Sequence, residues 1–343
     1  MAFAKEPPVA HGQTPTTAVL LCNLGTPAAP TPGAVRTYLA QFLADPRVVE
    51  IPALLWKPIL YGLILPFRPR QSAAKYASIW MPEGSPLMVW TKRQAAALQQ
   101  AFDARGGRVT VRYAMRYGSP SIASELDALK AAGAARILIL PAYPQYSGTT
   151  TASIGDAVGE WLARQRNQPE MRWVRSYPAD EGYVAALADS ISRYWAANGQ
   201  ADKLVLSFHG VPERTRDLGD PYYEECLATA RQLTARLGLR EDQFVLTFQS
   251  RFGKAKWLEP ATATVLEELG KAGTGRVDVV CPGFSCDCLE TLEEISMEGR
   301  EIFLHAGGRE FHYIPCLNDS PAWIEAMATI TQQQLAGWPG GGT

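Results

Sequence analysis

The sequence predicts an α/β protein built from two successive units, each with a four-stranded parallel sheet flanked by helices. The chain has 343 residues, and domains commonly hold about 150 residues each, so the length fits two domains. β-Branched runs alternate with amphipathic stretches, as is typical of parallel α/β folds. Polar loops follow corresponding strands in both halves. We therefore expect two Rossmann-like domains with an active-site cleft between them, at the carboxyl ends of the strands.

The element predictions follow the switch between strand-like and helix-like periodicity. The predicted strands are 18–23, 109–115, 136–140, 171–174, 203–208, 244–248, 277–281 and 311–314. The predicted helices are 32–43, 88–102, 121–132, 182–197, 222–237, 260–271 and 290–303. The corresponding domains are a leader (1–16), an N-terminal domain (17–179), a C-terminal domain (180–320), and a final helix with a flexible tail (321–343).

Composition excludes several classes of protein. Lys and Arg number 33 against 34 acidic residues, which argues against a protein that coats nucleic acid. The hydrophobic share of 47% argues against intrinsic disorder. The six cysteines are too sparse for a disulfide scaffold, so a reducing cytoplasm is expected. Neither GxGxxG after a strand nor a GxxxxGK[ST] loop is present, so nucleotide binding has no support.

One strongly apolar segment, residues 51–67, reads IPALLWKPILYGLILPF. Pro52, Lys57, Pro58 and Pro66 interrupt it, and it falls short of the ~20 apolar residues of a spanning helix. It is either a buried core helix or an exposed apolar lip that dips into a membrane surface or receives an apolar ligand. The opening residues lack the apolar core of a signal peptide, so a cytoplasmic location is expected, with peripheral contact to the inner membrane left open.

Of the four histidines, one has the position of a functional group. His209 directly follows an apolar strand and precedes Gly210, which allows close backbone approach. A neutral imidazole there can accept a proton or bind a metal at cellular pH. His11, His305 and His312 suit solvated or structural roles.

A stripe of carboxylates forms the second candidate site. Asp287, Glu290, Glu294 and Glu298 are spaced three and four residues apart, which places them on one face of a helix. A solvated acidic face is the alternative. Because the stripe starts at a strand's carboxyl end in the half that holds His209, it suits a divalent metal in transit or proton acceptance.

Further candidates are weaker when each is taken singly. Cys281, Cys286 and Cys288 do not have the spacing of zinc or iron–sulfur sites and are interpreted as ordinary small residues. The donors that could position anions are Arg68, Arg70, Tyr76, Ser85, Arg116 with Tyr117, and Gln249-Ser250-Arg251. Trp257 is either a core aromatic or the wall of a site for a flat ligand.

Several of these segments resemble one family. Residues 204–223, LVLSFHGVPERTRDLGDPYY, look like the signature of ferrochelatases, which insert ferrous iron into a porphyrin. LCNLGTP, GSPL, RYGSPSI, YPQYS and PGFSCDCLETLEEI extend the likeness over roughly residues 17–330. The likeness is nearest to proteobacterial enzymes that make protohaem from protoporphyrin IX, with release of two protons, in the last step of haem biosynthesis.

The resemblance implies two chelatase-type domains and a role for each candidate. His209 and Glu290 match the family's catalytic pair, which binds metal or takes protons. Asp287, Glu294 and Glu298 match residues that relay protons or metal. The residues matched to porphyrin binding are Asn23, Leu24, Arg68, Tyr76, Ser85, Arg116, Tyr117 and Trp257. The segment 51–67 matches the family's lip, which implies porphyrin entry and peripheral membrane contact.

The sequence also departs from the family pattern. Cluster-bearing animal enzymes have a cysteine where Gly148 stands and three more in a C-terminal extension, so no [2Fe–2S] cluster is expected and iron is substrate only. Cys288 stands where many relatives have histidine. The alternatives are a chelatase for another tetrapyrrole or metal, such as coproporphyrin or cobalt, and a non-catalytic porphyrin or haem carrier.

Overall fold

Two four-stranded parallel sheets form the framework of the computed structural model, which confirms the predicted fold class. The structure describes Phe3, Ala4, Glu6, residues 15–253 and residues 255–339. His11 and most of the predicted leader lie outside the described residues. The chain divides into two compact units.

Unit 1 comprises the described residues up to Ala142, Gly148–Ser176, and those from Met327 onward. Its strands are β1 (Thr16–Gly25), β2 (Val109–Tyr117), β3 (Ala134–Pro141) and β4 (Glu170–Trp173), in the order β2-β1-β3-β4. Its helices are α1 (Pro32–Ala44), α2 (Ala53–Ile59), α3 (Leu65–Ile79), α4 (Pro86–Ala104), α5 (Ile122–Ala131) and α6 (Ser153–Leu162). Leu60–Ile64 and Gly148–Ala152 are π-helical.

Unit 2 comprises Tyr143–Ser147 and Tyr177–Ala326. Its strands are β5 (Lys203–His209), β6 (Phe244–Gln249), β7 (Arg276–Val280) and β8 (Glu310–Tyr313), in the order β6-β5-β7-β8. Its helices are α7 (Glu181–Asn198), α8 (Glu213–Asp217), α9 (Tyr222–Arg236), α10 (Thr262–Lys271) and α11 (Arg300–His305), with a 3₁₀ turn at Glu241–Gln243 and a π-helix at Glu290–Gly299. The last helix, α12 (Pro321–Leu335), is shared, since Ala326 belongs to unit 2 and Met327 to unit 1.

The central strands are buried on both faces. In β1 the side chains of Ala18, Val19 and Leu20 are fully buried, as are those of Val205 and Leu206 in β5. Parallel strands covered by helices on both sides are expected to be continuous apolar runs. That is why these strands could be located from composition alone.

Side-chain caps define where several helices begin. Thr31, Ser85, Ser121 and Asp180 each accept a hydrogen bond from a backbone N–H in the first turn of α1, α4, α5 and α7. Such caps satisfy N–H groups that have no partner within the helix.

The loop Tyr143–Ser147 belongs to unit 2, although the predicted boundary lies at 179/180. The Gln145 side-chain amide donates to Thr229 Oγ1 (2.8 Å), and the backbone N–H of Tyr146 donates to the Glu225 carboxylate (2.7 Å). Both partners are on α9. These long-range contacts have no local sequence signal, and they attach the loop to the later part of the chain.

The chain near Gly337 was predicted to be flexible. Trp338 is nevertheless buried, its indole N–H donates to Glu170 (2.8 Å), and the Arg172 guanidinium lies 4.2 Å from the ring centre. Residues 340–343 of the predicted tail lie outside the described part of the chain.

The apolar segment 51–67 is largely exposed. Leu54, Leu55, Leu63 and Phe67 expose between 62% and 90% of their surface. The interpretation as a buried core helix is therefore wrong. A membrane-crossing helix would need more uninterrupted apolar length than any helix of the described chain provides.

Replacing Gly25 by Ala is expected to destabilise unit 1 strongly. Gly25 has a φ of +115°, and an added Cβ would overlap the Tyr117 carbonyl oxygen. Gly106 (φ +70°) is the matched control because nothing lies near its added Cβ. Gly106→Ala should cost only the conformational term of about 1–2 kcal/mol. Thermal and urea unfolding measure both variants, and equal losses would contradict the packing argument.

Candidate active site

His209 ends β5 with one ring nitrogen engaged and the other available. Its Nδ1 lies 2.7 Å from the Gly210 carbonyl oxygen, which can only accept, so Nδ1 carries the proton. In the neutral imidazole Nε2 is then the lone-pair nitrogen, and it has no hydrogen-bond partner among the described residues. Gly210 is needed there because a Cβ would lie 2.5 Å from the Gln249 carbonyl oxygen. The imidazole is half-buried and presents an acceptor or metal ligand.

The predicted acidic helix is a π-helix from Glu290 to Gly299 rather than an α-helix. Its i→i+5 hydrogen bonds widen each turn, so residues four and five apart lie nearest each other along one face. Glu290, Glu294 and Glu298 keep a common side under this geometry. Glu290 and Glu294 are half-buried, and Glu298 is exposed. The three carboxylates therefore form a series from the interior of unit 2 to solvent.

Gln249, the last residue of β6, and Ser250, which follows it, hold this helix. The Gln249 side-chain amide donates to the Glu290 carbonyl oxygen (2.7 Å), and its own oxygen accepts from Ser207 (2.7 Å). Ser250 donates from its backbone N–H to Glu294 Oε1 (2.6 Å) and from its hydroxyl to Oε2 (2.5 Å). The sequence suggested only that Gln249 and Ser250 could position anions. The anion is a side chain of the protein itself.

Ser250 has left-handed backbone geometry, with φ = 63°. Non-glycine residues rarely adopt this conformation, and such strain clusters at functional sites. The conformation allows both donors of Ser250 to reach one carboxylate. Strain is thus offset by two charge-assisted hydrogen bonds.

Burial raises the pKa of Glu294 above its ordinary value, although the Ser250 hydrogen bonds and the nearby His209 act in the opposite direction. The repulsion from Glu290 adds to the increase. A carboxyl group with a raised pKa can hold a proton closer to neutral pH than a free glutamate can.

Asp287 is fastened elsewhere in unit 2. Its Oδ1 accepts from Tyr313 (2.5 Å) and Thr291 (3.1 Å), and its Oδ2 accepts from Asn318 (2.7 Å). It is buried and shares none of these partners with Glu290 or Glu294. Both carboxylate oxygens of Asp287 therefore have hydrogen-bond donors that these glutamates do not share.

The cysteines of this region are free, buried thiols. Burial raises the pKa of the Cys281 and Cys288 thiols. In the ranges 15–253 and 255–339 no group of three or more His, Cys, Asp or Glu side chains is arranged to hold a metal ion.

Trp257 and three predicted residues of unit 1 are largely buried. Trp257 lies against Gly210, with its indole N–H donating to the Phe252 carbonyl oxygen (3.0 Å). Tyr76 packs edge-on against Tyr38, and Ser85 caps α4. The Asn23 amide donates to Thr91 Oγ1 (2.9 Å). These contacts give each residue a structural role at its position.

The remaining predicted residues of unit 1 differ in exposure. Arg68 is exposed and Leu24 half-buried, whereas Tyr117 is only 2% exposed. Arg116 and Tyr117 end β2 and both contact the carboxylate of Asp45 at the end of α1. Sequence reasoning missed Asp45, because a lone aspartate after a helix carries no signal of its distant partners.

Comparison with solved structures identifies the type of fold. The structure is similar to SirB from Bacillus subtilis with Fe3+, with a TM-score of 0.57, 14% identity, and coverage of 94% of this chain and 96% of that one. A second similar structure is the sirohydrochlorin chelatase SirB from Bacillus subtilis subspecies spizizenii in complex with cobalt, with a TM-score of 0.53, 12% identity, and coverage of 93% and 95%. The fold is therefore of the chelatase type.

Sequence comparison narrows this class to one family. Residues 16–335 match the family model described as Ferrochelatase. Ferrochelatase of Polaromonas sp. is 64% identical over 343 residues, covering 99% of this chain and 94% of the relative. Ferrochelatase of Methylibium petroleiphilum is 60% identical over 339 residues, covering 99% and 93%. The chain belongs to the ferrochelatase family.

Glu294 should make stability depend on pH. A carboxyl whose pKa is raised on folding contributes stability that is present below its unfolded value of 4.5 and is lost as pH rises through the folded value. Over this range the wild type should lose about 1.4 kcal/mol of unfolding free energy for each unit by which folding raises the pKa of Glu294. Glu294→Gln cannot ionise there, so it should not show this loss. Unfolding free energies from about pH 4.5 to 8 measure it. Glu298→Gln, at an exposed site, is the control, and parallel curves for wild type and Glu294→Gln would contradict the assignment.

Proposed function

We propose that this chain inserts ferrous iron into protoporphyrin IX, forms protohaem and releases two protons. The observation that carries the proposal is the half-buried His209, whose Nε2 is free and whose charge acts on Glu294. His209 pairs in the sheet with Gln249, which holds the backbone of Glu290. Metal insertion needs acceptors for the two pyrrole protons and ligands for an ion that has shed its waters. An imidazole nitrogen and carboxylate oxygens provide both within unit 2.

His209 and Glu290 are the proposed catalytic pair. Imidazole nitrogen is a good ligand for iron, and its lone pair can equally accept a pyrrole proton. Glu290 starts the π-helix, where the Gln249 hydrogen bond to its carbonyl oxygen fixes the backbone. Each of the two can take either role, metal ligand or proton acceptor.

Glu294 and Glu298 are proposed to carry protons or metal onward. Exposure increases along the helix from Glu290 and Glu294 to Glu298, which gives transferred protons a direction towards water. The raised pKa of Glu294 brings its proton affinity closer to neutral pH, which suits a relay. Asp287 stays a candidate for the same relay, on its position one turn before the helix.

Porphyrin binding is proposed for Asn23, Leu24, Arg68, Tyr76, Ser85, Arg116, Tyr117 and Trp257. A planar macrocycle hides its nitrogen lone pairs, so a saddle-shaped macrocycle belongs to the transition state. Rigid aromatic and hydrogen-bonding groups that favour the bent shape over the flat one lower the barrier, because only differential binding accelerates the reaction.

Anaerobic incubation with ferrous iron and protoporphyrin IX, followed by the Soret shift, tests the proposal. His209→Ala and Glu290→Gln should each lower the insertion rate by at least about a hundredfold, as is typical for loss of an acid–base group, and leave porphyrin binding largely intact. His305→Ala is the matched control because His305 is an exposed histidine at the end of α11. Near-normal turnover in either site variant would refute the assigned roles.

The same assay separates the alternatives. Faster insertion into coproporphyrin or sirohydrochlorin, or of cobalt over iron, would indicate a chelatase for another substrate. Porphyrin binding without any insertion would indicate a carrier. The buried carboxylates argue against a carrier, because a site for an apolar macrocycle gains nothing from desolvated acidic groups.

The exposed segment 51–67 is proposed to contact a membrane surface, with the enzyme in the cytoplasm. Leu54 and Phe67 are 90% and 71% exposed, and single-sided apolar helices partition into the headgroup boundary. An apolar substrate and product would be taken from and returned to the same surface.

Leu54→Ser with Phe67→Ser should lower the vesicle partition constant from co-sedimentation at least about tenfold, because each exposed apolar side chain contributes about 1.5–3 kcal/mol when it is fully buried and 1.4 kcal/mol is a factor of ten. Leu218→Ser is the matched control, since Leu218 is 74% exposed on unit 2. Equal binding of both variants to vesicles of mixed zwitterionic and anionic lipid would contradict the proposal.

A further inference from the structure

Asp45 is a buried carboxylate that joins three elements of unit 1. Its Oδ2 accepts hydrogen bonds from Arg116 Nη2 (2.7 Å), the Tyr117 hydroxyl (2.8 Å) and the Ser153 hydroxyl (2.6 Å). Its Oδ1 accepts from the backbone N–H of Arg47 (2.8 Å). The carboxylate thereby links the end of α1, the end of β2 and the start of α6.

The Arg116 guanidinium is held along one edge only. Its Nε donates to the Ser153 carbonyl oxygen (2.9 Å) and hydroxyl (2.7 Å), and its Nη2 donates to Asp45. Its Nη1 has no partner in the described chain, and the side chain is 22% exposed. Both N–H groups of Nη1, and the second N–H group of Nη2, are thus left for a group outside the protein.

We infer that Asp45 is a positioning residue that fixes Arg116 for hydrogen bonding to the substrate and neutralises its charge. The inference rests on the proposed function, which makes Arg116 a porphyrin-binding residue. A free arginine samples many rotamers, whereas a guanidinium held through Nε by Ser153 and through Nη2 by Asp45 is confined to a single orientation. The donor is then pre-organised before the substrate arrives.

The charge state of the cluster supports this role. Burial alone would raise the pKa of Asp45, but hydrogen bonds from Ser153, Arg47 and Tyr117, together with the Arg116 charge, bring that pKa below its ordinary value. Burial raises the pKa of Tyr117, and the hydrogen bond to Asp45 and the charge of Asp45 add to the increase against the effect of Ser153, so the phenol stays a donor. Asp45 is therefore ionised, and it forms a neutral pair with Arg116.

A double-mutant cycle distinguishes positioning from a merely structural role. Asp45→Asn keeps the volume and removes the charge, and Arg116→Lys keeps the charge and removes the fork. Each should raise the porphyrin KM about three- to thirtyfold with kcat little changed, and the double variant should be no worse than the poorer single variant, because contacting residues are coupled. Asp156→Asn is the matched control, since it breaks the exposed Arg47–Asp156 pair of the same unit.

Ser153→Ala provides a second route should Asp45→Asn not fold, because it removes a hydroxyl bonded to both Asp45 and Arg116. It should give the same KM effect, with kcat spared. Multiplicative effects in the cycle, an unchanged porphyrin KM in Arg116→Lys, or a loss in kcat alone would overturn the inference. The same double-mutant cycle can be measured on the dissociation constant for porphyrin, by fluorescence titration and without turnover. This measurement tests the role of Asp45 even if the wild type inserts no iron.

Discussion

The double hydrogen bond from Ser250 to Glu294 is the contact on which the chemistry of unit 2 depends. A desolvated carboxylate is costly, and two donors from one residue compensate it only because the backbone there adopts a left-handed conformation. Gln249, one residue earlier, ties the start of the same helix to Ser207 inside the sheet. The end of β6 thus sets where the glutamates lie relative to His209 on the neighbouring strand.

A wider helical turn is the second constraint. Three glutamates four residues apart along an α-helix would repel one another without relief. In the π-helix the same spacing combines with a burial gradient, so that Glu294 is anchored and Glu298 meets solvent. The catalytic proposal and the pH dependence of stability therefore both follow from the geometry of the π-helix Glu290–Gly299.

The sheets, their succession and the family could be predicted from the sequence because the signals are local. Central parallel strands are continuous apolar runs, and the motif around His209 is long and specific. The π-helix could not be predicted, since Glu290–Gly299 has the composition of an ordinary amphipathic helix. The contacts of Asp45 and of the loop Tyr143–Ser147 could not be predicted because their partners lie far away in the chain. Exposure of the segment 51–67 was left open because apolar composition does not say what covers a helix.

The burial of every cysteine has a consequence for how the protein handles its metal. All six thiols are free and buried. Burial raises the pKa of the thiols of Cys22, Cys226, Cys281, Cys288 and Cys316. Thiolate, not thiol, is the strong soft ligand and the species that oxidises. None of the six thiols is therefore poised as a thiolate at the surface, so cysteine does not compete with the nitrogen and oxygen donors of His209 and the glutamates for a metal ion.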